Sequence, residues 1–253
     1  AYEIRPRDWS SDVALPILNY IRSILDCQVF IRIFVIKMSL QYLFARIVNT
    51  LFNWLYAPFA WAYDWVANLV SLGRWQKWIL AIQPLLERDP ILELGFGPGH
   101  LQAALLNSRR NVTGVDLSRQ MCTMAQQRIT REGHAPRLVR ATGQKLPFPS
   151  EAFGCLVATF PAPYLFQTET AEEASRVLIP GGRLVVLAFA QFQGNTLPEM
   201  IMRKIFRQTG QERTKSWTAN HLLLVFQQAG FETQIQRVRC GSDVLQVLVM
   251  NKQ

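Results

Sequence analysis

The stretch ILELGFGPGHL at residues 91–101 constrains what this chain can fold into more than any other feature. Its apolar start predicts a strand, and the loop that follows contains three glycines, Gly95, Gly97 and Gly99. A second apolar run, VTGVDL at 112–117, contains Asp116. Glycines in a strand-to-helix turn let a ligand approach the backbone, and an acidic residue at the end of the next strand accepts hydrogen bonds from ribose hydroxyls. The pattern predicts a doubly wound α/β sheet that binds an adenosine-containing cofactor.

The spacing of the glycines distinguishes two kinds of cofactor site. Dinucleotide-binding proteins carry G-x-G-x-x-G, whereas this loop is G-x-G-x-G, with an acidic residue two positions before it. This form resembles motif I of class I S-adenosylmethionine (SAM) methyltransferases. SAM has no pyrophosphate to place at a helix N-terminus, and its positive charges favour nearby carboxylates. The resemblance implies that SAM contacts the loop and the end of the second strand through Glu93, Gly95, Phe96, Gly97, Gly99, Asp116 and Leu117.

Predicted strands and helices alternate from residue 90 onward. The apolar strand candidates are 90–94, 111–116, 136–140, 154–160 and 183–190, and the helix candidates between them are 98–108, 118–132 and 169–178. Alternation of this kind predicts a parallel sheet with helices on both faces.

Two further strand-like runs, 231–240 and 243–250, end the chain. Only Gly241 and Ser242 separate them, which is enough for a hairpin and too short for a crossover helix. The last strand is therefore expected to run antiparallel. A doubly wound, seven-stranded, mostly parallel sheet that ends in a hairpin is the Rossmann-like class I methyltransferase topology and differs from the six-stranded dinucleotide fold.

Other segments extend the resemblance over residues 55–250 or so. RVLIPGGRLVVL at 176–187 is similar to the helix–PGG–strand unit of the family, and GQKLPFPSEAF at 143–153 is similar to the segment under the adenine. The branch that looks closest contains the ubiquinone/menaquinone-biosynthesis C-methyltransferases. Thr142, followed by Gly143 and Gln144, stands where the family often has an acidic residue for the adenine amino group, so these three residues are assigned to the cofactor. Gly154 stands where the family usually has Asp at the start of the fourth strand, and the absence of a side chain there predicts close backbone packing.

The fourth predicted strand leads into ATFPAPYLF at 158–166. Phe160 is placed to cover the adenine or the methyl donor, and Tyr164 lies where an acceptor would enter, at the carboxyl ends of the strands. Methyltransferases that modify adenine or amide nitrogens carry a compact Asn/Asp-Pro-Pro-Tyr here. FPAPY lacks the amide or carboxylate, which disfavours a nucleobase acceptor.

The first 82 residues are assigned to an N-terminal helical extension, and 83–253 to a SAM-binding domain with an insertion at about 191–218. The segment YAPFAWAYDW at 56–65 is rich in aromatic residues, and related enzymes use such helices as a lid over the acceptor, so Tyr63 and Asp64 are candidates there. Two roles stay open for the N-terminal extension, namely packing on the SAM-binding domain and peripheral contact with a membrane. The longest uncharged run, 47–63, is too short and too polar for a typical spanning helix.

Composition limits the partners and the chemistry. The net charge of +9 suits an anionic surface, although no dense basic block is present. The four cysteines are far apart and the three histidines have no metal-ligand spacing, so we expect reduced thiols and no metal. The N-terminal residues do not form a secretory signal, and we expect a cytoplasmic location, with the inner face of the membrane as an alternative. The sequence does not indicate an oligomeric state.

Together these features predict a SAM-dependent methyltransferase that acts on a small, largely apolar acceptor, such as a quinone precursor or a lipid-like molecule. Tyr63 and Tyr164 are the predicted acceptor-positioning residues at the catalytic centre. The alternatives are a methyltransferase for RNA or protein, an NAD-binding oxidoreductase, and a membrane-associated protein that binds SAM without catalysis. Nucleic acid is the less favoured partner.

Overall fold

Strands and helices alternate through most of the residues that the computed structural model describes, 63–208 and 221–253. The strands are β1 (Ile91–Leu94), β2 (Val112–Asp116), β3 (Leu138–Arg140), β4 (Phe153–Thr159), β5 (Leu178–Gln191), β6 (Phe231–Cys240) and β7 (Asp243–Lys252). The helices are α1 (Tyr63–Val70), α2 (Trp75–Leu80), α3 (His100–Asn107), α4 (Arg119–Arg131), α5 (Thr168–Val177), α6 (Leu197–Gln208) and α7, over 221–228.

The seven strands form one sheet in the order β3-β2-β1-β4-β5-β7-β6. The neighbours from β3 to β5 are parallel, and β7 runs antiparallel to both β5 and β6. Gly241 at the β6–β7 turn has φ +61°, which suits the first central position of a two-residue hairpin loop. The predicted fold class and the antiparallel last strand are confirmed.

Helices cover both faces of the sheet. Apolar side chains of α5 and α7, such as Ala174 and Phe226, pack on one face, and those of α2 and α3, such as Ile79 and Leu105, pack on the other. Every residue of β1 is buried as a consequence. Central strands covered on both faces need continuous apolar runs, which explains the sequence pattern that predicted them.

Strand β5 begins earlier than predicted. It starts at Leu178 and not at 183, and the Pro-Gly-Gly sequence lies within it as an irregularity in the pairing with β4. Gly181 has φ +69° there, a backbone conformation that glycine adopts without steric cost. The predicted turn is therefore a local distortion inside a longer strand.

The insertion predicted at about 191–218 contains helix α6 in its described part. Predictions for residues 1–62, including the membrane-facing helices and most of the aromatic stretch, fall outside the described residues. Among the helices of 63–208 and 221–253, none has both the length and the apolar character needed to cross a membrane.

Gly154 lies where β4 passes close to the segment that leads into β1. A Cβ atom at this position would stand 2.9 Å from the carbonyl oxygen of Asp89 and 2.9 Å from the Cβ of Arg88. The close backbone packing predicted for this glycine is present.

Substitution Gly154→Ala is expected to lower the free energy of unfolding by about 1–3 kcal/mol, because the backbone must shift to make room for the methyl group. Urea denaturation measures the change. Gly133→Asn is the control, because no atom of the described residues beyond its chain neighbours lies within 4 Å of its Cβ position and Asn tolerates its left-handed backbone. Equal stabilities of Gly154→Ala and the wild type would show that the close approach of Arg88 and Asp89 does not exclude a side chain at this position.

Candidate functional site

The glycine loop joins β1 to α3 through left-handed backbone at three positions. Gly95, Gly97 and Gly99 have φ values of +71°, +53° and +82°, which glycine adopts readily. The N–H of Gly95 donates to the carbonyl of Val115 at 2.7 Å and fixes the loop to β2. A Cβ at Gly99 would lie 2.7 Å from the Cβ of Ala125, so the glycine allows α4 to pack against the start of α3.

Asp116 at the end of β2 holds the loop and the next helix in place. Its Oδ2 accepts a hydrogen bond from the backbone N–H of Gly97 at 2.9 Å, and its Oδ1 accepts one from the N–H of Ser118 at 2.8 Å. Burial raises the pKa of Asp116, and the two backbone hydrogen bonds offset part of that rise. The carboxylate therefore holds the backbone of the loop and of the next helix in place, and it is also a polar group of the site.

A cavity of about 550 Å³ lies at the carboxyl ends of β1, β2 and β4, where ligands bind in open α/β sheets. Most of the residues predicted for the site line it, namely Gly95, Gly97, Asp116, Leu117, Thr142, Gly143, Gln144, Phe160 and Tyr164. Because β1 lies between β2 and β4, the polar groups that follow β2 face the apolar residues that follow β4 across the glycine loop. One side of the cavity thus includes Asp116, Ser118 and Gln120, and the other side is mainly apolar apart from the hydroxyls of Thr159 and Tyr164.

The first turn of α4 also lines the cavity, which the sequence prediction missed. Ser118, Gln120 and Met121 contribute there, and Ser118 caps the helix by accepting from the N–H of Met121 at 3.3 Å. Ser118 directly before a helical pattern is a signal for a helix start. Because the sheet brings the end of β2 to the cavity, the same signal could have identified these residues.

Three of the predicted site residues, Glu93, Phe96 and Gly99, are not among the described residues that line the cavity. Phe96 is buried under the loop, and a Cβ at Gly114 would stand 2.6 Å from its ring. Gly99 packs on α4 as described above. Tyr63 begins α1, but its side chain falls outside what the structure describes. Glu93 lies inside the fold, and the ligand roles of these three residues and of Tyr63 stay predictions.

Glu93 is a buried carboxyl group with an amide as its hydrogen-bond partner. Its Oε2 accepts from Nε2 of Gln102 at 2.9 Å, and its residue is only 1% exposed. Burial raises the pKa of Glu93 to about 8, and the charge of Asp116 adds to the rise. Glu93 is therefore mostly protonated at neutral pH. The Oε1 of Gln102 has no hydrogen-bond partner among the described residues, and a neutral Glu93 places a donor beside that amide.

The side chain of Tyr164 lies close to two glycines of the site. A Cβ at Gly95 would stand 2.7 Å from its hydroxyl oxygen, and a Cβ at Gly143 would stand 2.9 Å from its ring. The buried Thr170 donates from its hydroxyl to the backbone carbonyl of Tyr164 at 2.8 Å. The hydroxyl is thereby held next to the glycine loop.

Asp64, a candidate lid residue, instead supports the loop from outside the cavity. Its carboxylate pairs with Nε2 of His100 at 2.9 Å and with the guanidinium of Arg128 at 2.7 Å. Arg128 also donates to the carbonyl of Pro98. Burial disfavours the charged form of Asp64, yet hydrogen bonds and charges from His100 and Arg128 lower its pKa. The cluster connects α1 and α4 to the glycine loop.

Phe160 has a backbone conformation that residues other than glycine rarely adopt. Its φ is +46°, which costs roughly 1–2 kcal/mol for an L-residue. Strained residues of this kind concentrate at functional sites. Among the described residues no group of three or more His, Cys, Asp and Glu side chains could hold a metal ion.

Comparison with known proteins agrees with this geometry. Residues 92–186 match a family model described as a methyltransferase domain. A demethylmenaquinone methyltransferase of Thermus thermophilus is 35% identical over 144 residues, which are 53% of this chain and 64% of that protein; the chain thus spans less than two thirds of that relative. A demethylmenaquinone methyltransferase of Lactiplantibacillus plantarum is 30% identical over 207 residues, covering 71% of this chain and 87% of that protein.

A solved structure from Methanococcus maripaludis, assigned to the S-adenosyl-L-methionine-dependent methyltransferases, shares the fold. It has a TM-score of 0.54 and 16% identity, and the match covers 77% of this chain and 92% of that one. The chain belongs to the class I SAM-dependent methyltransferases. Within that family of enzymes it resembles the branch that contains the demethylmenaquinone methyltransferases. The cofactor of the family is SAM, so the NAD-binding alternative is set aside.

Substitution Glu93→Gln is expected to remove a pH dependence of stability. In the unfolded chain Glu93 loses its proton near pH 4.5, whereas in the folded chain it keeps the proton until about pH 8. The stability that this group contributes is complete below pH 4.5 and is lost as the pH rises to about 8. At about 1.4 kcal/mol per pKa unit the effect amounts to a few kcal/mol.

Urea denaturation of the wild type and Glu93→Gln at pH 5 and pH 8 measures this difference. The variant should gain stability relative to the wild type as the pH rises. Glu172→Gln, at an exposed position on α5, is the control. A constant difference between wild type and Glu93→Gln across this range would mean that Glu93 is ionised in the folded protein.

Proposed function

We propose that this chain transfers a methyl group from SAM to a small, largely apolar acceptor, such as a quinone precursor or a lipid-like molecule. The observation that carries the proposal is the two-sided cavity, in which Phe160, Pro161 and Ala162 line the wall that follows β4. A polar acceptor would find few hydrogen-bond partners on that wall. The carboxylate of Asp116 lies on the other side, where the cofactor is expected.

The residues present fit the cofactor. Gly97 lines the cavity, and among the described residues no atom other than those of its chain neighbours lies within 4 Å of its Cβ position, which leaves room for a ligand beside this backbone. Asp116 would accept hydrogen bonds from ribose hydroxyls, and Thr142, Gly143 and Gln144 would border the adenine. When bound, SAM supplies a methyl group on a positively charged sulfur.

The chain's own task is then to hold the acceptor in line with that methyl group and to keep water out. Tyr164 is the proposed positioning residue, because its hydroxyl lies beside the glycine loop and its ring borders the cavity. A general base is needed only where the acceptor atom carries a proton. Tyr63 stays a second candidate for acceptor contact from the N-terminal side.

The names of the relatives support a quinone-type acceptor. Demethylmenaquinone methyltransferases are among the similar proteins, and by name they act on demethylmenaquinone. Peripheral membrane contact through the N-terminal helices would suit such an acceptor, and it concerns residues outside the described part. The net charge of +9 keeps an RNA or protein acceptor as the second candidate.

Transfer of a radiolabelled methyl group from SAM tests the proposed acceptor class. The full chain is incubated with a short-chain naphthoquinol, a fatty acid, an RNA oligonucleotide and a basic peptide. Label in the naphthoquinol or the fatty acid is the expected result. Label in the RNA or the peptide alone would overturn the acceptor assignment, and binding of SAM without label in any acceptor would favour a non-catalytic role.

Asp116→Ala is expected to weaken binding of S-adenosylhomocysteine by roughly 10- to 100-fold, because a charged acceptor for the ribose hydroxyls is lost. Isothermal calorimetry measures the affinity, and a thermal melt checks that the variant is folded. Asp116→Asn should fall between the wild type and the alanine variant. Glu172→Ala, at an exposed site on α5, is the matched control. An unchanged affinity would exclude Asp116 as a cofactor ligand.

Tyr164→Phe is expected to lower kcat/KM for methyl transfer roughly tenfold, or about 1.4 kcal/mol, because the hydroxyl that positions the reactants is removed. The ring remains, so the melting temperature should stay close to that of the wild type. Tyr164→Leu, which removes the ring as well, should cost both activity and stability. Full activity of Tyr164→Phe would show that the hydroxyl has no role in transfer.

A further inference from the structure

The ring of Phe160 forms part of the cavity wall although its backbone is strained. The residue follows the last residue of β4, lines the cavity, and has φ +46°. Its backbone N–H donates to the carbonyl of Leu187 at 2.8 Å, which continues the pairing of β4 with β5. This bond fixes the backbone but not the ring. Further contacts must therefore hold the ring in place.

Trp75 at the start of α2 supplies such a contact. Its ring stacks on the ring of Phe160, with centroids 4.2 Å apart and an angle of 26° between the planes. Trp78, one turn later on the same helix, lies 6.3 Å from the ring of Phe160. The aromatic face that borders the cavity is thus supported from behind by a helix that precedes the sheet.

Helix α2 is itself anchored by buried polar groups. The backbone N–H of Trp75 donates to the hydroxyl of the fully buried Ser71 at 3.0 Å. The indole N–H of Trp78 donates to Oδ2 of Asp243 at 2.9 Å. Arg74 bridges Oδ1 of Asp243, at 2.8 Å, and Oε1 of Glu199, at 2.6 Å.

Both of these carboxylates are almost fully buried, with side chains 1% and 2% exposed. Asp243 begins β7 and Glu199 lies in α6. Removing Arg74 would leave two buried charges without their cation, which is strongly unfavourable. The cluster therefore gives α2 one fixed position at the carboxyl edge of the sheet.

We propose that Trp75 is a positioning residue for the cofactor cavity, and that it acts by fixing the ring of Phe160 in its strained conformation. Trp75 is not one of the residues that line the cavity, so its effect passes through Phe160. The proposal goes beyond the acceptor assignment and does not depend on which acceptor is used. It predicts that truncation of Trp75 weakens cofactor binding in a protein that remains folded.

Calorimetric titration of the full chain with S-adenosylhomocysteine tests this with a double-mutant cycle. Trp75→Ala should weaken affinity about 5- to 20-fold, and Trp75→Phe should restore most of it because a second ring can still stack. In a Phe160→Leu background the additional effect of Trp75→Ala should fall below twofold. Trp65→Ala on α1, where the side chain is 68% exposed, is the control. Thermal melts establish that each variant is folded, and Trp75→Leu replaces Trp75→Ala if the latter does not fold.

The possible outcomes separate this proposal from the cofactor assignment. Failure of the wild type to bind S-adenosylhomocysteine would overturn both the positioning role of Trp75 and the cofactor assignment. Wild type that bound it, with folded Trp75→Ala of equal affinity, would overturn the positioning role alone. Equal losses of affinity from Trp75→Ala in the wild-type and Phe160→Leu backgrounds would show that Trp75 affects cofactor binding independently of Phe160 and would overturn the proposal.

Discussion

The site depends on the two hydrogen bonds that the Asp116 carboxylate accepts from backbone N–H groups. They join the glycine loop at Gly97 to the start of α4 at Ser118. Without the carboxylate, partly buried N–H groups would lose their acceptor, at a cost of about 1–3 kcal/mol each. The parallel register of Leu94 with Val115 brings loop and carboxylate together. Backbone geometry thus defines the polar side of the cavity, and an acidic residue fixes that geometry.

Two carboxyl groups on neighbouring strands show why spacing alone does not assign a role. The sequence predicts both Glu93 and Asp116 as cofactor ligands, because both flank the glycine loop. In the structure Glu93 pairs in register with Gly114 within the sheet, whereas Asp116 stands at the strand end. Burial raises both pKa values, but Asp116 has two backbone donors and Glu93 has one amide. The partner of Glu93, Gln102, lies on α3, and no local pattern around Glu93 contains that information.

Much of the fold was predictable because the signals are local. Buried strands of a covered parallel sheet need continuous apolar runs, and a two-residue connection at Gly241 and Ser242 permits only a hairpin. The early start of β5 at Leu178 was not predictable, since Pro-Gly-Gly usually marks a turn. The Arg74 cluster was not predictable either. Its partners Glu199 and Asp243 lie far along the chain, and each alone is an ordinary charged residue in the sequence.

The chemistry of that cluster suits its place beside an apolar wall. Apolar packing alone would fix α2 with little directional preference, because the hydrophobic effect is non-directional. An arginine shared by two buried carboxylates adds directed hydrogen bonds that favour one arrangement, at the cost of desolvating the carboxylates. The rings of Trp75 and Trp78 lie 4.2 Å and 6.3 Å from the ring of Phe160, measured between centroids. In this fold, polar contacts specify where the helix lies, and its apolar surface shapes the cavity.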